Sequence, residues 1–173
     1  IGQAFQFDGD NDSISIDESK LVLTEEMAIS AWIKLNGDYT NIQNITYRSR
    51  DNLATITYWL DFGRTDNKLA FFQNVTQIDS TGTISDDDWH HVVAVRSGSS
   101  GDWVITFYID TISSEHATAV NPGTDAGTME ATIGALDWDG TDIQNFNGSL
   151  DDVRIYNRAL SPEEVTRLYQ LGN

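Results

Sequence analysis

A chain of 173 residues can hold one sizeable core and is short for two. With 27 acidic against 10 basic residues its net charge is −17, which argues against nucleic acid and anionic membrane surfaces, because both need the opposite sign. A 39% hydrophobic share belongs to a folded protein, no apolar run is long enough to span a bilayer, and the lack of cysteine removes disulfides and thiolate metal sites.

Taken in chain order, strand signals dominate from Ile1 to Tyr156. Gln3 to Phe7 and Ser13 to Ile16 alternate in polarity around the acidic turn Asp8-Gly9-Asp10-Asn11-Asp12. Met27 to Leu35 alternates over nine residues, with Ile29, Ala31, Ile33 and Leu35 on one face. Thr55 to Phe62 and Lys68 to Gln73 read as strands separated by a turn at residues 63–67. Trp89 to Arg96 and Trp103 to Ile109 form a hairpin, and Ser113 to Val120, Met129 to Ala135 and Ser149 to Tyr156 complete the set. One helix is written at the C-terminus. Ser161 is its N-cap, Pro162 its first position, Glu164 closes a capping box, and Leu160 and Val165 form a staple. Val165, Leu168 and Tyr169 make its apolar stripe and Gly172 ends it, so the helix is expected to seal an edge or end of the sheets. Many short strands with only two prolines predict an all-β, two-sheet antiparallel jelly-roll sandwich with a short C-terminal helix, one domain over 1–173.

The acids number 20 Asp against 7 Glu, a bias toward turns and oxygen-rich cation sites rather than helices. Asp8, Asp10 and Asp12 follow a D-x-D-x-D spacing, but Ser13 and Ser19 stand where an EF-hand needs glycine and a bidentate glutamate. The turn still gathers carboxylates, and the Gly9 carbonyl can add an oxygen. The adjacent acids Asp151 and Asp152 offer two more from a distant part of the chain, so Asp8, Gly9, Asp12, Asp151 and Asp152 are candidate ligands for a calcium ion. The competing reading makes Asp8 and Asp12 turn formers and pairs Asp152 with Arg154.

A second acidic stretch, Asp137-Trp138-Asp139-Gly140-Thr141-Asp142, combines carboxylates with an indole. Carboxylates accept from sugar hydroxyls and an aromatic face stacks on the C–H side of a pyranose, so Asp137, Trp138, Asp139 and Asp142 are candidate carbohydrate contacts. The alternative is an Asp-Gly hairpin whose Trp packs on the sandwich. Tyr39, Tyr47, Arg48, Tyr58 and Trp59 cluster in sequence; half of them are expected in the core, and Tyr39, Arg48 and Tyr58 are the further candidate contacts if they share an open face. His90 and His91 lie on one strand with no converging partner and read as structural. Catalysis finds no support: the seven Glu lie in loops, in the helix or singly, and no pair of acids shares a strand face at hydrolase spacing.

Residues 147–164, Asn-Gly-Ser-Leu-Asp-Asp-Val-Arg-Ile-Tyr followed by Asn157-Arg158-Ala159-Leu160-Ser161-Pro162-Glu163-Glu164, resemble the C-terminal signature of LamG-like jelly-roll domains of the concanavalin A-like superfamily. Residues 5–12, 29–34 and 89–95 match three further landmarks in order. One departure stands out: Tyr108-Ile109-Asp110 is usually followed by glycine, and here by Thr111. The resemblance implies a structural calcium where the first hairpin meets the last long strand, and a polysaccharide or glycan as ligand. It leads to the expectation of an extracellular, calcium-binding, non-catalytic module of a larger secreted enzyme or adhesin, with no nucleic-acid partner and no membrane insertion. Ile1 follows no charged or apolar leader, in keeping with a processed protein or a module of a longer chain. A structural or protein-interaction domain of a surface protein is the second reading, and a polysaccharide-degrading enzyme the third.

Overall fold

The alternating segments build the layers. In chain order the elements are β1 (Phe5–Asp8), β2 (Ile14–Ser15), β3 (Met27–Leu35), β4 (Gln43–Arg50), β5 (Thr55–Phe62), β6 (Lys68–Gln73) and β7 (Thr76–Thr83). They continue with β8 (Trp89–Ser99), β9 (Asp102–Ile109), β10 (Ile112–Thr118), β11 (Glu130–Ile133), β12 (Leu136–Trp138), β13 (Thr141–Ile143), β14 (Asn147–Tyr156) and the helix α1 (Pro162–Gly172). The computed structural model describes residues 3–17, 21, 26–37, 39, 41–50, 55–64, 66–73, 76–99, 102–118, 130–138 and 141–172. Among these no helix is long and apolar enough to cross a membrane.

Six strands in the order β1-β14-β3-β8-β9-β10 form sheet A, and six in the order β2-β11-β4-β5-β6-β7 form sheet B. Every pairing is antiparallel, and β12 and β13 make a separate hairpin. The jelly-roll sandwich is therefore present, with two strands more than the alternation reveals in sheet B, β4 and β7. Ile29, Ile33 and Phe107 of sheet A meet Leu60, Phe62 and Phe71 of sheet B in the main core. Each such side chain contributes roughly 1.5–3 kcal/mol through burial. Gly134, before β12, sits at φ 85 where an added Cβ would overlap the Phe7 ring, so a side chain is excluded there on two counts.

The helix starts as its sequence predicts. Glu164 N–H donates to Ser161 Oγ at 3.3 Å and Ser161 N–H to Glu164 Oε2 at 2.9 Å, the reciprocal capping box. Arg158 donates two hydrogen bonds to the Glu164 carboxylate (2.6 and 2.8 Å), which holds its pKa down at about 2. The position of the helix differs from expectation: α1 covers the outer face of sheet A instead of an edge or end. Val165 and Leu160 pack on Ala28, Val93 and Val95, the residues left outward by the main core. Trp32 stacks on Tyr169 at 5.5 Å, and at Gly172 a Cβ would overlap the Trp32 indole. This explains why β3 is buried on both faces from Met27 to Ile33. It also buries His91, whose Nε2 lies 2.9 Å from Ser30 Oγ, and burial pushes the imidazole pKa down to about 4.

Candidate functional site

Sheet B presents an aromatic row on its outer face. Since Tyr58, Leu60 and Phe62 of β5 face the core, the alternate residues Trp59 and Asp61 face outward. Register puts Tyr47 of β4 opposite Trp59, and Trp59 opposite Phe72 of β6. The three rings thus align across adjacent strands, Tyr47 edge-on to Trp59 at 5.9 Å and Trp59 stacked on Phe72 at 4.5 Å. Arg64, from the β5–β6 turn, folds back with its guanidinium 4.8 Å from both the Trp59 and the Phe72 ring centroids. It donates through Nε and Nη2 to Asp61 Oδ2 (3.0 and 2.8 Å) and through Nη2 to Gln144 Oε1 (3.1 Å). Asp61 is fully buried, and that burial raises its pKa to about 7 despite the guanidinium beside it.

On this row rests the β12–β13 hairpin. Leu136 and Ile143, at its base, pack against Tyr47, Trp59 and Phe72, and Gln144 ties its exit to Arg64. The row is consequently covered, with Tyr47 at 2% and Trp59 at 5% exposure, and it serves as the hairpin's foundation rather than as an open platform. In the hairpin Asp137 is the register partner of Asp142 and Trp138 of Thr141, so two of the sequence-selected acids stand opposite one another. Asp139 and Gly140 lie outside the described residues. Asp61, Arg64, Phe72 and Gln144 are the residues that sequence reasoning did not bring to this site beside Tyr47 and Trp59; the alternation of β5 and β6 marks the faces of Asp61 and Phe72, but only register aligns them.

Tyr39, Arg48 and Tyr58 do not form an open face. Tyr58 is a core residue with no exposed surface, and Arg48, its register partner, shares the inner side and is 3% exposed. Tyr39 is half-buried against the same core and its hydroxyl donates to Asp87 Oδ1 at 2.7 Å, which raises its pKa to about 12. Two β-bulges in β4, at Asn44/Thr46 and Arg48/Ser49, shift which side chains face inward. Asp86 and Asp87 are tied into the fold: Asp87 also accepts from Gly37 N–H, and Asp86 contacts His90 Nε2 at 2.9 Å.

The acids chosen for a cation are likewise divided. Asp8 pairs with Asn147 and Phe5 with Leu150, so Asp151 lies four residues along β14 from the level of Asp8, about 13 Å away. The set Asp8, Gly9, Asp12, Asp151 and Asp152 is therefore not one site. Asp8 and Asp12 act as turn formers, Asp8 Oδ1 accepting from Asp10 N–H (2.9 Å) and Asp12 Oδ2 from Asp8 N–H (3.1 Å). Asp152 lies at φ 49 in a bulge of β14 and pairs with Arg154 at 3.0 Å. Among the described residues no three His, Cys, Asp or Glu side chains converge as metal ligands. Beside the first turn, however, Asn145 donates from Nδ2 to the Asp10 carbonyl while its Oδ1 is buried without a hydrogen-bond partner. An orphaned amide oxygen whose own Nδ2 is bonded to the turn that carries Asp8 and Asp12 is chemistry that suits a hard cation, provided backbone carbonyls or water supply the remaining ligands.

Two antiparallel six-stranded sheets, a helix laid on one outer face and an aromatic-based hairpin on the other define a lectin-type jelly roll. A model of the concanavalin A-like lectin/glucanases superfamily matches residues 8–166, and the chain belongs to that superfamily. Among curated proteins none matches significantly. The solved structures it resembles include the CBM40 of the Ruminococcus gnavus IT-sialidase, at TM-score 0.72 and 14% identity, covering 96% of this chain and 98% of that one. The same CBM40 is known bound to α2,3- and α2,6-sialyllactose. A native heptameric SAP-like pentraxin from Limulus polyphemus matches at TM-score 0.67 and 17% identity, over 95% of this chain and 80% of that one. Domain 4 of AbnA, a GH43 extracellular arabinanase from Geobacillus stearothermophilus, in complex with arabinotriose, matches at TM-score 0.59 and 18% identity, over 95% and 87%.

Proposed function

We propose that the chain is a non-catalytic carbohydrate-binding module of a larger extracellular protein, with the β12–β13 hairpin as its glycan-facing element. The observation that carries this reading is the anchoring of that hairpin. Its base is packed on the Tyr47–Trp59–Phe72 row and latched through Gln144 to Arg64, while its outer half carries Asp137, Trp138 and Asp142 with the two acids in register. A rigid support beneath a loop lowers the ordering cost of binding. In this role Trp138 supplies the stacking surface and the carboxylates accept from sugar hydroxyls. The neighbours bound to sialyllactose and arabinotriose support the ligand class. Calcium belongs to the proposal at the first turn, where Asp8, Asp12 and the Asn145 oxygen would hold it and brace the hairpin-bearing end of β14; it takes no part in the glycan contact.

The test is a glycan array followed by calorimetry on the wild type and Trp138→Ala, with fold integrity matched by circular dichroism. Loss of a stacking indole is expected to weaken binding about tenfold, near 1.4 kcal/mol. Undiminished affinity in folded Trp138→Ala would remove the hairpin from the site.

A further inference from the structure

The margin of the sandwich at β1 and β2 is closed unevenly. β1 ends sheet A with four residues and β2 ends sheet B with two, so the shorter edge leaves the interior open beside it. Alongside, the bulge of β14 between Asp151 and Arg154 interrupts its pairing with β3. A slot of about 290 Å³ lies there between the sheets. That is the lower end of the roughly 300–1,000 Å³ span of small-molecule sites, room for one ring rather than a chain of them.

Register and alternation decide which side chains meet in it. Phe5 and Phe7 share a face of β1, and Phe5 is the partner of Leu150, a core residue. Val153, inside the β14 bulge, packs on that core too. Opposite them, from sheet B, Ile14 pairs with Ile133, and both pack on the same core. These six side chains face inward and carry no polar atom. The two acids at the end of the slot turn away from it. Asp151 is the partner of Trp32, which stacks under α1, so its carboxylate belongs to the outer face of sheet A, where Oδ1 accepts from Asp152 N–H at 2.8 Å. Asp152 is drawn to the same outer side by Arg154, the partner of Ser30, whose Nη2 donates to it at 3.0 Å.

The aromatic wall is built in two parts. Phe7 is fixed: Phe146 meets its ring edge-on at 6.1 Å, and Gly134 lies so close that a Cβ there would overlap it. Phe5 stands at the mouth, 65% exposed. Water in the slot finds no donor or acceptor on these six side chains, so an apolar guest displaces it at little cost. The net charge of −17 disfavours an anion, and with both carboxylates engaged on the outer face a cation gains no partner. Two phenyl rings on one wall favour a third through offset or edge-to-face contact, which a saturated guest cannot match.

We propose that this slot binds one neutral aromatic ring, held between Phe5, Phe7 and Val153 of sheet A and Ile14 and Ile133 of sheet B. The site is separate from the β12–β13 hairpin and does not depend on the glycan reading. The test is a 15N-resolved NMR titration with p-cresol as the neutral aromatic, cyclohexanol as its saturated counterpart, benzoate as the anion and benzylamine as the cation. The proteins are wild type, Phe5→Ala, Val153→Phe and Asp152→Asn. Val153→Phe fills the slot, and Phe5→Ala removes an exposed ring, which keeps the test valid even where the filled variant fails to fold. The expected result is that p-cresol shifts the amides of Phe5, Phe7, Ile14, Ile133 and Val153 and binds more tightly than the other three probes. Its affinity should fall about tenfold in Phe5→Ala and in folded Val153→Phe, and stay unchanged in Asp152→Asn. Wild-type affinity in Phe5→Ala would overturn the proposal, as would equal binding of cyclohexanol. So would a preference for benzylamine that Asp152→Asn abolishes, shifts confined to residues 136–143, or silence of the slot amides with every probe.

Discussion

Thr111→Gly is expected to stabilise the protein, which is unusual for a substitution to glycine. Thr111 stands at φ 75 in a turn whose register, Ile109 opposite Ile112, leaves no room to rotate into an ordinary region. Holding a β-branched residue there costs of order 1–3 kcal/mol, whereas glycine adopts the angle without penalty. Against that gain, glycine adds about 0.5–1 kcal/mol of backbone entropy to the unfolded chain. The net expectation is about 1 kcal/mol in favour of the variant. For a domain of this size that corresponds to a rise of about 2–4 °C in Tm. Differential scanning calorimetry on Thr111→Gly, Thr111→Asn and the wild type tests the ordering, with Asn between the two because it tolerates the left-handed region. A lower Tm for Thr111→Gly would show that the threonine side chain makes a contact worth more than the strain, and would sink the argument.

Two buried titrating groups should reveal opposite pH slopes. His91, with its pKa lowered to about 4 by burial, binds protons more weakly folded than unfolded, so its contribution is present above about pH 6.5 and is lost as pH falls toward 4. Asp61, raised to about 7 by burial, contributes fully below about pH 3.9 and loses that contribution as pH rises through 7. The two nearly offset in the wild type. His91→Asn should leave stability falling with pH and Asp61→Asn should leave it rising, each by a few kcal/mol across the window; urea unfolding at pH 4, 5.5 and 7 checks the signs, and parallel profiles for all three proteins would refute them. For calcium, 10 mM ion against chelator is expected to raise Tm by a few degrees, from roughly 1.4–2.7 kcal/mol of linkage. Asp12→Asn should erase that rise and Asp151→Asn should leave it, while the reverse pattern would move the ion to the β14 bulge.

What the sequence carries of this fold is local periodicity and termini. β3, β5, β6, β8 and β9 announce themselves because β-branched and aromatic residues run through them between turn signals, even where, as in β3 and β8, both faces are buried. The α1 boundaries follow from Ser161, Pro162 and Glu164, whose reciprocal hydrogen bonds act within four residues. β4 escapes because two bulges break its period, and β7 because an edge strand of Thr, Ser, Gln and Gly needs no apolar side. The candidate site escapes for a different reason. Nothing near Arg64 in sequence says that Trp59 and Phe72 will flank its guanidinium, since that depends on cross-strand register. Register is also what separates Asp8 from Asp151, two acids that a motif places together and a ladder holds four residues apart. The departure at Thr111, by contrast, is visible as a missing glycine and turns out to be a strained angle in the structure.

The arrangement of covers explains where a ligand can reach this molecule. A sandwich offers two broad outer faces, and here both are furnished. Sheet A carries α1 over Ala28, Val93 and Val95, with Trp32 stacked under Tyr169. Sheet B carries the β12–β13 hairpin over its aromatic row, with Arg64 laid against both the Trp59 and the Phe72 rings and pinned to Asp61. The aromatic side chains that would make an open sugar platform, Tyr47, Trp59 and Phe72, are thus spent on seating the hairpin, while Tyr58 and Arg48 lie on the inner side of the sheet by alternation. Among the described residues neither outer face is left as an open aromatic platform. The base of the hairpin, Leu136 and Ile143, is fixed by its packing on that row, and the edge strands β7 and β10 end the two sheets at one margin.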